Sequence, residues 1–406
     1  MFKNILLLAV LAIATAQSSC SLATSPNLCE KQGKQCKWCG DDADVGFCAA
    51  FSVPCGINSS ATSPTIYAMA RVSSVSGGFG LYTVDPSVGE MVLLSSDNIR
   101  TELMGTTSGV AALHGDTYYY YGQSQSSTTS VEGKLGLGPP NVLVALSTID
   151  ASQTCSVDLS KSIANVGFIG AGVTVNFNSA GNNIMISGPT ANGDRTSNST
   201  LPHAMITADL TDCTITTSDM TYGNGGNLPI WHSSAMDKNG VLYTTLEADD
   251  TTTGVEIVDA TGASSAKYMQ FKGSASFWGV EINEEADGPV VVGIAQSTTT
   301  GLLSLTRVTG ANSASPKWSE IDVKDPKTGK CSYNQLWGND GSVNAFDATN
   351  GVMYVLACKA PAQLHGYTLV GVDVTNGNIV SAVELSGAVI DKYGAAAIAH
   401  MEISMN

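Results

Sequence analysis

Charge is scarce in this chain of 406 residues: Asp, Glu, Lys and Arg together make up 13%, and aromatic residues only 7%. The 19 basic residues form no cluster and are outnumbered by 35 acidic ones, for a formal net charge of −16. That excludes nucleic acid and an anionic membrane surface as partners, because both are held by Lys and Arg set against phosphate. No stretch reaches the roughly 20 apolar residues of a membrane-spanning helix. The end, Met401-Glu402-Ile403-Ser404-Met405-Asn406, lacks the hydrophobic tail of a lipid-anchor signal. The catalytic motifs are missing as well: no G-x-S-x-G, no H-E-x-x-H, no phosphate-binding loop and no dinucleotide glycine fingerprint. What the chain does have is apolar content of 43% and 42 glycines, enough to build a large core and too apolar for disorder.

At the N-terminus, Lys3 precedes an apolar run from Ile5 to Ala14 and the small residues Ala14-Thr15-Ala16. One early charge, about ten apolar residues and a small-residue site read as a secretory signal over residues 1–16. The expectation is a secreted, extracellular chain. All ten cysteines lie beyond residue 16, an even number suited to an oxidising compartment. Six of them crowd together: Cys20, Cys29, Cys36, Cys39, Cys48 and Cys55. Cys36-Lys37-Trp38-Cys39 has the spacing of a zinc ligand pair, but no second matched pair accompanies it, so disulfides are the better reading. Asn58-Ser59-Ser60 and Asn198-Ser199-Thr200 are glycosylation acceptors, expected on exposed loops.

Residues 17–60 are too few for a stable core of their own and need the cysteines as staples. The run Cys29…Cys36-Lys37-Trp38-Cys39…Cys48…Cys55 resembles the plexin–semaphorin–integrin (PSI) module, with six cysteines where that family has eight. The resemblance covers about 35 residues and implies a spacer or wedge for a neighbouring domain rather than a catalyst. Six cysteines allow fifteen pairings, and sequence does not choose among them.

Residues 61–406 repeat. A bulky apolar pair followed by a small residue recurs, with looser variants: Leu103-Met104-Gly105, Phe168-Ile169-Gly170, Ile230-Trp231-His232, Phe277-Trp278-Gly279, Leu336-Trp337-Gly338 and Lys392-Tyr393-Gly394. The first five are followed by a β-branched or aromatic run, such as Tyr118–Tyr121, Val241-Leu242-Tyr243 and Met353-Tyr354-Val355. A third strand running into Asp and a fourth strand complete each unit. Four antiparallel strands per unit with almost no helical periodicity predict an all-β propeller. The first unit, Ile66 to Leu94, has three strands, and the chain ends on an orphan, Gly394 to Ile403. Joining the two gives six blades closed by the C-terminal strand, with seven if one unit is mis-split, and leaves no open sheet edge. In this frame Cys331 and Cys358 are expected to pair across the last blade, while Cys155 and Cys213 are paired by parity alone.

Propeller geometry places the starts of the first strands at one mouth of the central channel. Met104, Ile169, Trp231, Trp278, Trp337 and Tyr393 are expected to ring it, with His232, Glu281, Asn339 and Asp340 just inside. Such residues serve equally as packing between blades or as an aromatic wall for a sugar or flat ligand. Two long loops, Gly122 to Pro140 and Gly188 to Pro202, are expected on the same face. Two functions compete. The first is an extracellular recognition protein that binds a protein or glycan through one propeller face, with no cofactor. The second, by similarity to six-bladed lactonases and esterases, is a hydrolase with one Ca²⁺ in the channel on Glu281, Asn339 and Asp340. With no catalytic motif in view, whether the chain is an enzyme is left open, and binding is preferred.

Overall fold

The computed structural model describes residues 36–42, 45–50, 64–72, 78–100, 103–104, 111–123, 141–158, 174–178, 183–189, 203–209, 214–222, 234–249, 252–259, 267–272, 277–297, 299–311, 313, 315–335, 343–359, 367–394 and 397–404. The chain divides into two compact units, Met1–Pro64 with Asn406, and Thr65–Met405. In the smaller unit, β1 (Cys36–Asp42) and β2 (Val45–Ala50) form an antiparallel hairpin that sets Trp38 opposite Cys48 and Cys39 opposite Phe47.

The larger unit is all-β and propeller-like. Its first strands in sequence are β3 (Ile66–Arg71), β4 (Phe79–Val84) and β5 (Met91–Leu93). Next come β6 (Leu103–Met104), β7 (Ala111–His114), β8 (Thr117–Gln123), β9 (Asn141–Ser147) and β10 (Gln153–Asp158). Two four-stranded sheets follow: β11 (Thr174–Asn178), β12 (Asn183–Pro189), β13 (His203–Asp209) and β14 (Thr214–Tyr222); then β15 (Ser234–Met236), β16 (Val241–Asp249), β17 (Thr252–Asp259) and β18 (Lys267–Lys272). A further sheet holds β19 (Phe277–Glu285), β20 (Gly288–Gln296), β21 (Leu303–Thr309) and β22 (Lys317–Asp322). The next holds β23 (Tyr333–Gln335), β24 (Asn344–Asp347), β25 (Val352–Lys359), β26 (Tyr367–Asp373) and β27 (Ile379–Glu384). A short helix, α1 (Ala388–Tyr393), leads to β28 (Ile398–Ile403), which pairs antiparallel with β3 and completes the sheet of β3, β4 and β5.

Within a sheet, burial follows position. β25 is buried along nearly its whole length, while β22 and β27 alternate between exposed and half-buried residues. The reason is stacking: each middle strand has a neighbouring sheet on both faces, so its run is apolar throughout, whereas outer strands keep one face in water. Four apolar clusters show the stacking directly. One joins Ile66, Ala68 and Val84 to Tyr354, Leu356 and Leu369, and another joins Val292, Ile294 and Leu305 to Val355 and Val370. A third links Ala235 and Tyr243 to Val280 and Val291, and the fourth links Met69, Leu81 and Ala399 to Tyr118, Val144 and Leu146.

The first strands pack against one another in turn: β28 against β7, β7 against β11, β11 against β15, β15 against β19, and β24 against β28. Contact between β19 and β24 comes from the Asn344 amide, which bonds Glu281. These strands therefore line a common interior.

Three sequence expectations need correction. The bulky-pair motif opens an inner strand at Phe277-Trp278-Gly279, the start of β19, but not at Leu103-Met104 or Lys392-Tyr393, where the inner strands β7 and β28 lie downstream. β6, with Met104, pairs with the far end of β8, while the inner position falls to β7. Tyr393 does not begin a strand but ends α1, because Gly394 follows at φ +67, a conformation that halts a helix and suits glycine. Cys331 and Cys358 are both free cysteines. Asn334 is the residue opposite Cys358, so the register carries Cys331 three residues past it. At about 3.4 Å per residue that exceeds the roughly 7 Å a disulfide spans between Cα atoms.

Candidate functional site

The inner strands enclose a cavity of about 270 Å³. Its wall comes from every member of the ring, including Leu113 of β7, Asn176 of β11, Ser234 of β15, Glu281 of β19, Phe346 of β24 and Glu402 of β28. The cavity runs toward the turns that lead from first to second strands, since Lys238, Glu284 and Ala348 also line it. Those turns are built locally. The Asp237 carboxylate accepts from the backbone N–H of Asn239 and of Val241, each at 2.9 Å. Asp347 accepts in the same way from Thr349 and Asn350, at 3.0 Å each. Asp followed shortly by Gly suits such turns, because its carboxylate caps the backbone N–H groups ahead of it.

Two carboxylates dominate the interior. Glu281 and Glu402 are both half-buried on their strands. Burial pushes the Glu281 carboxyl up to about 8, opposed by a 3.2 Å hydrogen bond donated from Asn344 Nδ2 to its Oε1. Glu402 is held well above the carboxylate range, by burial first and by the charge of Glu281 second. Behind Glu402 on β28, His400 is 2% exposed, and its Nδ1 shares a 2.5 Å hydrogen bond with the Tyr118 hydroxyl. The Tyr118 ring stacks on it with centroids 5.6 Å apart. Burial pulls His400 down to about 3, so its ring is neutral at ordinary pH. Across the cavity, Asn176 Nδ2 donates to Ser234 Oγ at 2.7 Å. At the rim, Lys238 Nζ and Glu284 Oε2 form an ion pair at 3.3 Å.

Of the residues expected from sequence, Glu281 lines this cavity. Met104 and Trp278 lie on β6 and β19. Tyr393, on α1, packs against an apolar cluster and lies under the Lys392 ammonium, 5.0 Å from its ring centre. Ile169, Trp231, His232, Trp337, Asn339 and Asp340 lie outside the described residues, as do residues 1–16, Cys20, Cys29, Cys55, Cys213, both sequons and most of the two long loops. Cys155 is half-buried on β10. Among the described residues, no group of three or more His, Cys, Asp or Glu is placed to hold a metal ion, and no helix is long and apolar enough to cross a membrane. Sequence reasoning missed Glu402, His400, Asn344 and Asn176. The available signal was a polar residue alternating with apolar ones inside a short strand, as in Ala399-His400-Met401-Glu402-Ile403.

No protein family and no curated protein matches the sequence. Solved structures do match in fold. A mutant Aleuria aurantia lectin in complex with α-methyl-L-fucoside is 12% identical, covering 80% of this chain and 97% of its own, at a TM-score of 0.47. AofleA from Arthrobotrys oligospora is 11% identical over 79% of this chain and 86% of its own, at a TM-score of 0.44. A cobalt-substituted Synechocystis ACO is also 11% identical, over 81% and 71%, at 0.43. Such distant likenesses carry nothing about what this chain binds.

Proposed function

We propose that this is a secreted recognition protein in which a PSI-like module, residues 17–60, accompanies a six-bladed propeller that takes a protein or glycan ligand through one face. The observation that carries the reading is the mutual packing of the six first strands, with β28 completing the sheet of β3. A closed stack of this kind is rigid and leaves its faces to loops, where recognition is favoured. The six-blade count is supported by the six antiparallel sheets of the larger unit, each contributing one strand to the interior. Export is supported by the apolar run at residues 5–14 and the small residues after it, and attached sugar at Asn58 and Asn198 by the acceptor sequons. The test is glycan-panel and protein-capture binding by the secreted protein, with Trp231→Ala, Trp278→Ala and Trp337→Ala alongside. The reading expects saturable capture that each variant weakens about tenfold or more. Capture indifferent to all three would remove the aromatic face from consideration.

A second reading, a Ca²⁺-dependent lactonase- or esterase-like hydrolase, is favoured by the position of Glu281 in the inner cavity. Thermal unfolding with excess Ca²⁺ and then with chelator separates the two. A ligand at about 100 times its dissociation constant stabilises the folded state by about 2.7 kcal/mol. A midpoint unchanged by either treatment would eliminate this reading.

A further inference from the structure

The cavity wall holds two carboxyl groups, Glu281 and Glu402, which burial pushes toward the protonated form and which could ionise against a cation. Among the described residues lining the cavity, Lys238 is the cation, and it is engaged at the rim by Glu284 at 3.3 Å. Glu281 and Glu402 both line the cavity, and the bond Glu281 receives comes from a neutral amide, Asn344. Buried carboxylates that lack a counter-ion are costly, and they persist where something outside the chain supplies one. Asn344, which bonds Glu281 at the edge of this cavity, is itself incompletely satisfied. It is 7% exposed, and its Oδ1 has no hydrogen-bond partner. It stands two residues before the cavity-lining Phe346 on β24, its amide N–H reaching the cavity-lining Glu281 while its Oδ1 lies toward Gly279. His400 Nε2, two residues from Glu402 on the same strand face, is likewise buried and unpartnered. The wall also carries apolar Leu113, Val175, Ile282 and Phe346, beside the mutually bonded Asn176 and Ser234.

We propose that this cavity is a binding site for a small protonated amine, its ammonium group held between Glu281 and Glu402 and its hydrocarbon part against Leu113, Val175 and Phe346. An aromatic face beside two carboxylates suits an organic cation, because the ring's negative face adds to the carboxylates' attraction. A volume of about 270 Å³ is far larger than one metal ion needs and sits at the small end of ligand pockets. This site goes beyond the recognition face proposed above: it opens toward the first-to-second-strand turns, whereas the aromatic ring was placed at the starts of the first strands.

Binding is coupled to protons. The groups around the ammonium are Glu281 and Glu402, the Glu284–Lys238 pair at the rim, and neutral His400 with Tyr118 behind Glu402. An ammonium favours the ionised carboxylates, so its arrival drives protons off and affinity rises with pH until the amine itself loses its charge. The test is calorimetric titration of the purified full-length protein with phenethylammonium chloride, with 2-phenylethanol as the neutral counterpart and CaCl₂ as a metal arm. The expected result is one saturable site for the amine, about tenfold tighter at about pH 9 than at about pH 6, with proton release and at least tenfold weaker binding of the alcohol. Glu281→Gln and Glu402→Gln should each weaken the amine about tenfold or more. Equal affinity for alcohol and amine, no amine binding, or calcium binding that excludes the amine would each overturn the proposal. Should a Gln variant fail to fold, the comparison of amine with alcohol across pH on the unaltered protein still decides it.

Discussion

β25 and β24 belong to one sheet and are paired residue against residue, yet they are made differently. β25 reads Val-Met-Tyr-Val-Leu-Ala-Cys-Lys and is buried from Val352 to Cys358. β24 reads Asn-Ala-Phe-Asp, equally buried, with polar residues at both ends. The same contrast separates β20, with Val290, Val291 and Val292, from β19, with Glu281 and Asn283. Middle strands are held by burial on two faces and can be wholly apolar. Inner strands surround a narrow interior, and their buried polar groups must be satisfied by one another or by a visitor. Stability is concentrated in the first kind of strand and chemistry in the second.

The contrast can be tested by perturbing each kind of strand separately. The largest effect is expected from Leu356→Ala in β25, whose side chain is fully buried between two sheets: a loss of about 2–5 kcal/mol, read from chemical denaturation. Next comes pH, which acts on the inner strands. The His400 value lies below that of an unfolded histidine, about 6.5, so its contribution is complete above that pH and is lost as pH falls toward about 3. Glu281 is raised, so its contribution is complete below about 4.5 and is lost as pH rises through about 8. Glu402 is raised as well and adds to the alkaline loss. Stability should therefore peak at about pH 5 and decline by on the order of 3 kcal/mol toward about pH 8. Urea midpoints across pH measure this, and Glu281→Gln together with Glu402→Gln should flatten the alkaline limb. A midpoint that keeps rising to neutral pH would show the pair is not buried in this way.

Gly279→Ala should cost about 1–3 kcal/mol. Gly279 sits at φ +69 where the register of β19 shifts, and an added Cβ would run into the Asn344 amide, which holds Glu281. Calorimetric unfolding checks the cost, and a neutral result would place no strain at that bulge. The smallest effect belongs to the outer strand: Val380→Ala in β27, at a position 54% exposed, should move stability by less than about 0.5 kcal/mol.

Legibility from sequence followed the same division. Two-sided burial writes a continuous β-branched and aromatic run, so Tyr118–Tyr121, Val241–Tyr243 and Met353–Val355 were found where β8, β16 and β25 lie. β19 begins at its motif, but other inner strands were misplaced because they are short, and because β6 and β7 divide the pairing with β8 between them. Ser234–Met236 and Ala111–His114 are too brief and too mixed to show a period, and the bulky Trp-containing motifs upstream drew the eye instead. Glu281 could be named from its place after Phe277-Trp278-Gly279. Glu402 and Asn344 could not be joined to it, since they come from other sheets and only the packing of first strands brings them together. The bridge assigned to Cys331 and Cys358 failed for a related reason: adjacency of two strands was legible, but their register was not.

The pairing of β28 with β3 has a consequence during synthesis. β3 leaves the ribosome before every strand from β4 to β27, and β28 follows them all, so the edge of β3 stays bare while the sheets between are made. A bare edge is a template for strands of other chains. Until β28 arrives, that edge stays open to strands of other chains. Loss of β28 should accordingly be felt first as aggregation and only afterwards as lost stability.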